Sequence, residues 1–282
     1  MSGLFTRWRR ERLLRQARRA PSAWHLPPWT HRLPPAARER LHEQVALFLA
    51  EKPIEGAQGF PVDESMRLNI ATQACLPVLG LGYDWLDDLP RVIVYPDEFI
   101  PLIEEIDEIG LVHRREEIRA GEAWSGGPLV LSWSDVEAFP IQGEAYNVVF
   151  HEIAHVLDMR EGGEPNGFPP LPEDLPAARW TEVFSAAYTD MNTRLDRGEE
   201  TELDPYAADA PEEFFAVASE TFLVTPSRLR AAYPAVYAQL AAFYRLPFAV
   251  ETLFETPLTD EMISPISARE GKLEEPYAPL TS

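Results

Sequence analysis

The stretch Asn147-Val148-Val149-Phe150-His151-Glu152-Ile153-Ala154-His155-Val156-Leu157-Asp158 decides how the chain is read. Its core is His-Glu-x-x-His. On an α-helix, residues four apart lie about 40° apart around the axis and one turn along. His151 and His155 therefore point the same way and can grip one metal ion. Two neutral imidazoles suit zinc. Glu152 sits about 100° round, at the edge of that face, where it reaches a water on the metal without binding the metal. Val148, Val149, Ile153, Ala154, Val156 and Leu157 make the segment apolar on most sides, the mark of a buried helix. Two imidazoles and a carboxylate in such a helix need hydrogen bonds or a metal. A Lewis acid, an activated water and a base beside it are the parts that metal-assisted hydrolysis requires.

A catalytic zinc takes a third protein ligand and leaves one position open. A third His six residues past His155 would fall at Glu161, so the extended His-containing motif is absent. The ligand must come from a later helix. Residues 206–224 supply one: Pro211 suits its first turn, Asp209 or Ala210 its cap, and Phe214, Phe215, Val217, Ala218, Phe222 and Leu223 bury it. Glu213 and Glu220 are two turns apart and share nearly the same face. An acidic residue on an otherwise buried helix wants a cation. Spacing leaves both open, one as the ligand and the other behind it. Asp158 either orients a ligand imidazole or is a polar residue of the last turn.

The 282 residues suffice for one large domain or two small ones, and 45% hydrophobic content is ample for a core. Net charge is −21, which argues against nucleic-acid binding through the bulk surface. The charge is uneven: residues 1–20 hold seven Arg and one Glu. They read as a basic arm, either solvated, folded against the acidic body, or helical and touching anionic lipid through Leu4, Phe5, Trp8, Leu13 and Leu14. No apolar core follows the basic part, so it is no secretory signal, and no stretch is long and apolar enough to span a membrane. The single cysteine, Cys75, forms no intrachain disulfide and reads as a small core residue. The expected location is cytoplasmic.

Residues 21–35 are Pro-rich and read as an extended segment laid over the domain. Helices are expected over about 36–52 and 63–80, the second capped by Asp63 and kinked late by Pro77. Arg91–Tyr95 and Leu129–Trp133 are strand signals. Pro128 suits an edge strand, which could hold an extended peptide by backbone pairing; a plain core strand is the alternative. His113, a lone histidine, stays outside the metal set. The Gly- and Pro-rich loop 161–176 leaves the end of the metal helix and could rim the cleft. A helix over about 177–198 follows. The tail after about residue 255 has little periodicity and reads as flexible.

Residues 56–250 resemble the Mlc titration factor A family, also called the DgsA anti-repressors, bacterial zinc metallopeptidases. The likeness rests on Gln58-Gly59-Phe60, Cys75-Leu76-Pro77-Val78-Leu79, Ile93-Val94-Tyr95-Pro96, Gly110-Leu111-Val112-His113, His151 to Asp158, and Tyr206 through Val217. Glu213-Phe214-Phe215-Ala216, with Tyr206 seven residues before Glu213, also resembles the catalytic domain of anthrax lethal factor. Both resemblances imply Glu213 as the third zinc ligand, beside His151 and His155. They imply Glu152 as general base and Tyr206 as a hydroxyl donor to the oxyanion. The expected architecture is one mostly helical α+β domain of the zincin type over residues 21–255, with a small mixed sheet over the metal helix. The expected function is zinc-dependent peptide hydrolysis, with an aminopeptidase acting on short peptides as the finer form. The family's link to a glucose-responsive repressor implies the alternative, a regulatory protein that captures a transcriptional repressor.

Overall fold

The computed structural model describes residues 2–19, 26–98, 102–106, 112–116, 121–123, 125–140, 145–246, 248 and 253–255. Helices α1 (Ser2–Arg19), α2 (Pro35–Glu51) and α3 (Glu64–Cys75) come first, with strand β1 (Ile54–Gly56) between the last two. Strands β2 (Val92–Tyr95), β3 (Leu102–Ile106), β4 (Val112–Glu116), β5 (Gly121–Ala123) and β6 (Leu129–Ser132) follow. The rest is helical: α4 (Trp133–Ala138), α5 (Val148–Asp158), α6 (Ala177–Asp196), α7 (Pro211–Val224), α8 (Pro226–Ala232) and α9 (Pro234–Tyr244). The expected α+β, mostly helical architecture is the one found. Four strands form a mixed sheet in the order β1-β2-β6-β5, parallel except for β5, and β3 pairs with β4 as a separate antiparallel ribbon.

The metal-motif helix α5 lies at the centre of this arrangement. Asn147 caps it by accepting a hydrogen bond from the Phe150 N–H at 2.7 Å, and the same side chain donates to Gln73 Oε1 of α3 at 2.8 Å. Its apolar residues Val149, Phe150, Ile153, Ala154 and Leu157 are fully buried. One side of α5 packs on β5 and β6, another on α7. An aromatic cluster holds α7 in place. Trp180 stacks on Phe184 with centroids 4.2 Å apart, and Phe214, Phe215 and Phe243 close round them. Each buried aromatic contributes roughly 2–3 kcal/mol of transfer free energy, so the α6–α7–α9 contact is stiff.

Three local expectations change. Helix α3 ends at Cys75 rather than near residue 80. Pro77 has no N–H to offer Gln73 and its ring crowds that carbonyl, so the chain leaves the helix and does not merely kink. Residues 28–32 form a short 3-10 turn within the segment read as extended, with Trp29 buried. Strand β6 is interior, hydrogen-bonded to β2 on one side and β5 on the other, with all four residues buried. Pro128 lies before the ladder and removes no donor from it. The edge strands of this sheet are β1 and β5. The basic N-terminal stretch is helical and folded against the body: the Arg10 guanidinium donates to Glu51 Oε2 at 2.8 Å and to Asp87 Oδ1 at 2.5 Å. Leu4 and Phe5 side chains, the His113 side chain and the tail from residue 256 lie outside the described residues.

Candidate metal centre

Helix α5 presents His151 and His155 on one face, and α7 crosses it in the opposite direction. Glu213, in the first turn of α7, meets both rings, while Glu220, two turns on, reaches back to His151. His151 Nε2 lies 3.0 Å from Glu213 Oε2. His155 Nε2 lies 3.1 Å from His151 Nε2 and 3.4 Å from Glu213 Oε2. These are the edges of a small triangle. Three ligands at about 2.0–2.1 Å from a tetrahedral zinc stand roughly 3.3 Å apart, so the donor set fits the ion in type and in spacing. Among the described residues this is the group of three able to hold a metal.

The imidazoles and carboxylates also shift one another's ionisation. Burial raises the Glu213 carboxyl, but hydrogen bonds from the two imidazoles and their charge outweigh it and hold the group ionised, well below the usual carboxylate range. Burial lowers the His151 value, but the charge of Glu220 and the hydrogen bonds to Glu213 and Glu220 carry it well above the usual imidazole range. Both shifts come from the imidazole–carboxylate contacts, in which each group favours the charged form of the other.

Glu152 is buried beside this triangle, 5% exposed. Its Oε2 has no hydrogen-bond partner among the described residues, and burial pushes its carboxyl up, in the direction a general base needs. Its position depends on Gly121 of β5. A Cβ there would sit 2.5 Å from Glu152 Oε1, so the strand comes this close only because residue 121 has no side chain. Spacing alone could not have identified Gly121, because the contact joins an edge strand to a helix thirty residues on.

Tyr206 sits in a short 3-10 turn, Pro205–Ala208, capped by Asp204, which accepts from the Tyr206 N–H at 2.9 Å. Its ring is 43% exposed and its centroid is 5.9 Å from that of His151. Asp158 accepts from the backbone N–H groups of Asn166 and Gly167, both at 2.7 Å, and so ties down the loop that follows α5. Gly167, at φ +76°, lies against the Pro211 carbonyl of α7, and its own carbonyl accepts from Trp180 Nε1 at 3.3 Å. This loop therefore braces the first turn of α7, two residues before Glu213. Burial raises the Asp158 carboxyl, and the N–H groups of Gly167 and Asn166 work against that rise.

A mostly helical α+β fold that brings two histidines, a glutamate and a second, buried glutamate together is the arrangement expected of a metallopeptidase. The comparisons agree. A family model described as "Glucose-regulated metallo-peptidase M90" matches residues 5–245, and the chain belongs to that family. It is 37% identical over 229 residues to Mlc titration factor A of Escherichia fergusonii, covering 77% of this chain and 85% of that protein. To Mlc titration factor A of Salmonella gallinarum it is 38% identical over 202 residues, covering 70% of this chain and 75% of the relative. The counterpart in Salmonella agona matches at the same level.

Proposed function

We propose that the protein is a zinc-dependent peptidase, with His151, His155 and Glu213 as the metal ligands, Glu152 as general base and Tyr206 as oxyanion donor. The observation that carries this reading is the convergence of two Nε2 atoms and one carboxylate oxygen at mutual distances of 3.0, 3.1 and 3.4 Å, with the buried Glu152 beside them. Bound zinc would supply Lewis acidity and lower the pKa of water towards roughly 7. Glu152 accepts the proton of the attacking water and hands it to the leaving amine. Tyr206, exposed at the mouth of the site, donates its hydroxyl to the oxygen of the scissile carbonyl as charge develops there. As zinc ligands the two imidazoles would each give up any extra proton and Glu213 would be ionised, so the set would bring a single negative charge to the ion and leave its Lewis acidity high. Short peptides cleaved from the N-terminus are the finer reading, in the cytoplasm.

A second reading follows from the relatives' name, Mlc titration factor A. In it the chain captures a transcriptional repressor, and hydrolysis is secondary. One substitution separates the two. Glu152→Gln keeps the carbonyl oxygen and the volume but cannot take a proton. Hydrolysis of amino-acid anilides and short peptides should fall about 10²–10⁴-fold while one zinc per chain is retained. Unchanged hydrolysis in Glu152→Gln contradicts the catalytic reading. A mutant that behaves like the parent in cells despite lost hydrolysis supports capture.

A further inference from the structure

Glu220 has no task in the chemistry above, yet it is among the most deeply buried acids of the chain, 4% exposed in the middle of α7. Burying a carboxylate is expensive unless something on the inside repays it. Among the described residues, two donors at the start of α5 face it, with the charge of Asp204 also acting on it. His151 Nδ1 lies 3.3 Å from Glu220 Oε1, and the backbone N–H of Asn147 donates to the same carboxylate. Oε1 is buried and accepts no well-aligned hydrogen bond among the described residues, so the His151 ring at 3.3 Å is the group placed to donate to it. His151 is thus held between two acids of one helix: Glu213 at Nε2 and Glu220 at Nδ1. The other ring is different. Nδ1 of His155 is buried and has no hydrogen-bond partner among the described residues.

We propose that Glu220 is a positioning residue for the metal centre: it fixes the His151 ring and its Nδ1–H tautomer, so that the Nε2 lone pair faces the metal. This inference rests on the zinc reading given above and adds to it an asymmetry between the two histidines. An imidazole carries one proton when neutral, and a hydrogen bond at Nδ1 decides which nitrogen is left to bind. Asn147 makes the device stiffer. Its side chain caps α5 and bonds Gln73, so the N–H that meets Glu220 belongs to a residue already fixed on two other sides. Glu220 therefore sets the depth of α5 against α7 as well as the rotation of the ring.

The test is zinc affinity, measured on the full chain by competition with a chromophoric chelator, together with the visible spectrum of the cobalt-substituted protein. Glu220→Met fills the same volume and offers no acceptor. It should weaken zinc binding by roughly 10–100-fold and alter the cobalt bands, with the melting curve of the metal-free protein still cooperative. Glu220→Gln keeps an acceptor oxygen beside Nδ1 and should recover most of that loss, remaining within about tenfold of the parent. Zinc affinity and cobalt spectrum of Glu220→Met matching the parent would overturn the inference. So would a Gln variant as weak as the Met variant, which would assign the effect to charge and not to orientation. Should Glu220→Met fail to fold, the Gln variant and its cobalt spectrum decide alone: parent-like bands support the orienting role and altered bands overturn it. A parent chain that binds no zinc would instead sink the metal reading itself, and the two failures are told apart by the parent alone.

Discussion

Glu152 shows how much a single residue's environment matters here. Its carboxylate is held off water by β5, and the fit has no slack at Gly121. The Gly121→Ala variant should therefore push the carboxylate out of place without touching a metal ligand. The expected outcome is a fall in hydrolysis of about tenfold or more with zinc content unchanged, since a misplacement of about 1 Å in a catalytic group costs up to 10²-fold. Parent-like rates in Gly121→Ala would mean that Glu152 is free to move and is not the positioned base. At this scale the sequence was informative where local geometry is rigid. Two imidazoles one turn apart on a helix have little choice about where they point. Glu213 and Glu220 were different: both lie on one face of one helix, and which of them faces Nε2 depends on the direction in which α7 crosses α5. That direction is a tertiary fact, and only the family resemblance anticipated its outcome.

Among the elements, α5 depends on its cap. Asn147 is 1% exposed and serves three groups: Phe150 N–H, Gln73 Oε1 and, through its own N–H, Glu220. Asn147→Ala removes the cap and leaves the Gln73 oxygen short of a partner. The expected cost is about 2–3 kcal/mol of global stability, read by denaturant unfolding, together with weaker zinc binding because α5 loses its register on α7. A loss under about 0.5 kcal/mol would show that packing alone places the helix. Element existence was readable from apolar periodicity and from caps such as Asp63, which accepts from the Met66 N–H. Strand order was not. The apolar run Leu129–Leu131 fits an interior or an edge strand equally well, and β5, only three residues long, gives too short a pattern to be seen.

Over the whole molecule, the proposed metal would replace a proton as the link between two helices far apart in the chain. In the metal-free protein a protonated His151 bridges Glu213 and Glu220. Its raised value means that this stabilisation is full below the unfolded imidazole value, about 6.5, and is lost as pH rises through the folded value. On the zinc reading, the ion would hold the same groups without that proton. The gap in melting temperature between zinc-loaded and metal-free protein should therefore widen as pH is raised from about 6 to about 9. A gap that stays constant or narrows would show that His151 does not carry the link. The N-terminal helix is joined to the same body through Arg10, Glu51 and Asp87, with its guanidinium 4.9 Å over the Tyr83 ring. Composition suggested a basic arm and left its docking open, because an arginine's partners lie 41 and 77 residues away and no local pattern marks them.

The central claim is that one zinc ion is held by two imidazoles and one carboxylate. X-ray absorption at the zinc edge of the purified chain tests it most directly. One zinc per chain is expected, with nitrogen and oxygen neighbours only, at about 2.0–2.1 Å, two of them showing the outer-shell scattering of imidazole, and with the bound zinc lost in Glu213→Ala. A sulfur neighbour at about 2.3 Å, a site without imidazole, or no stoichiometric zinc in the parent chain would contradict it.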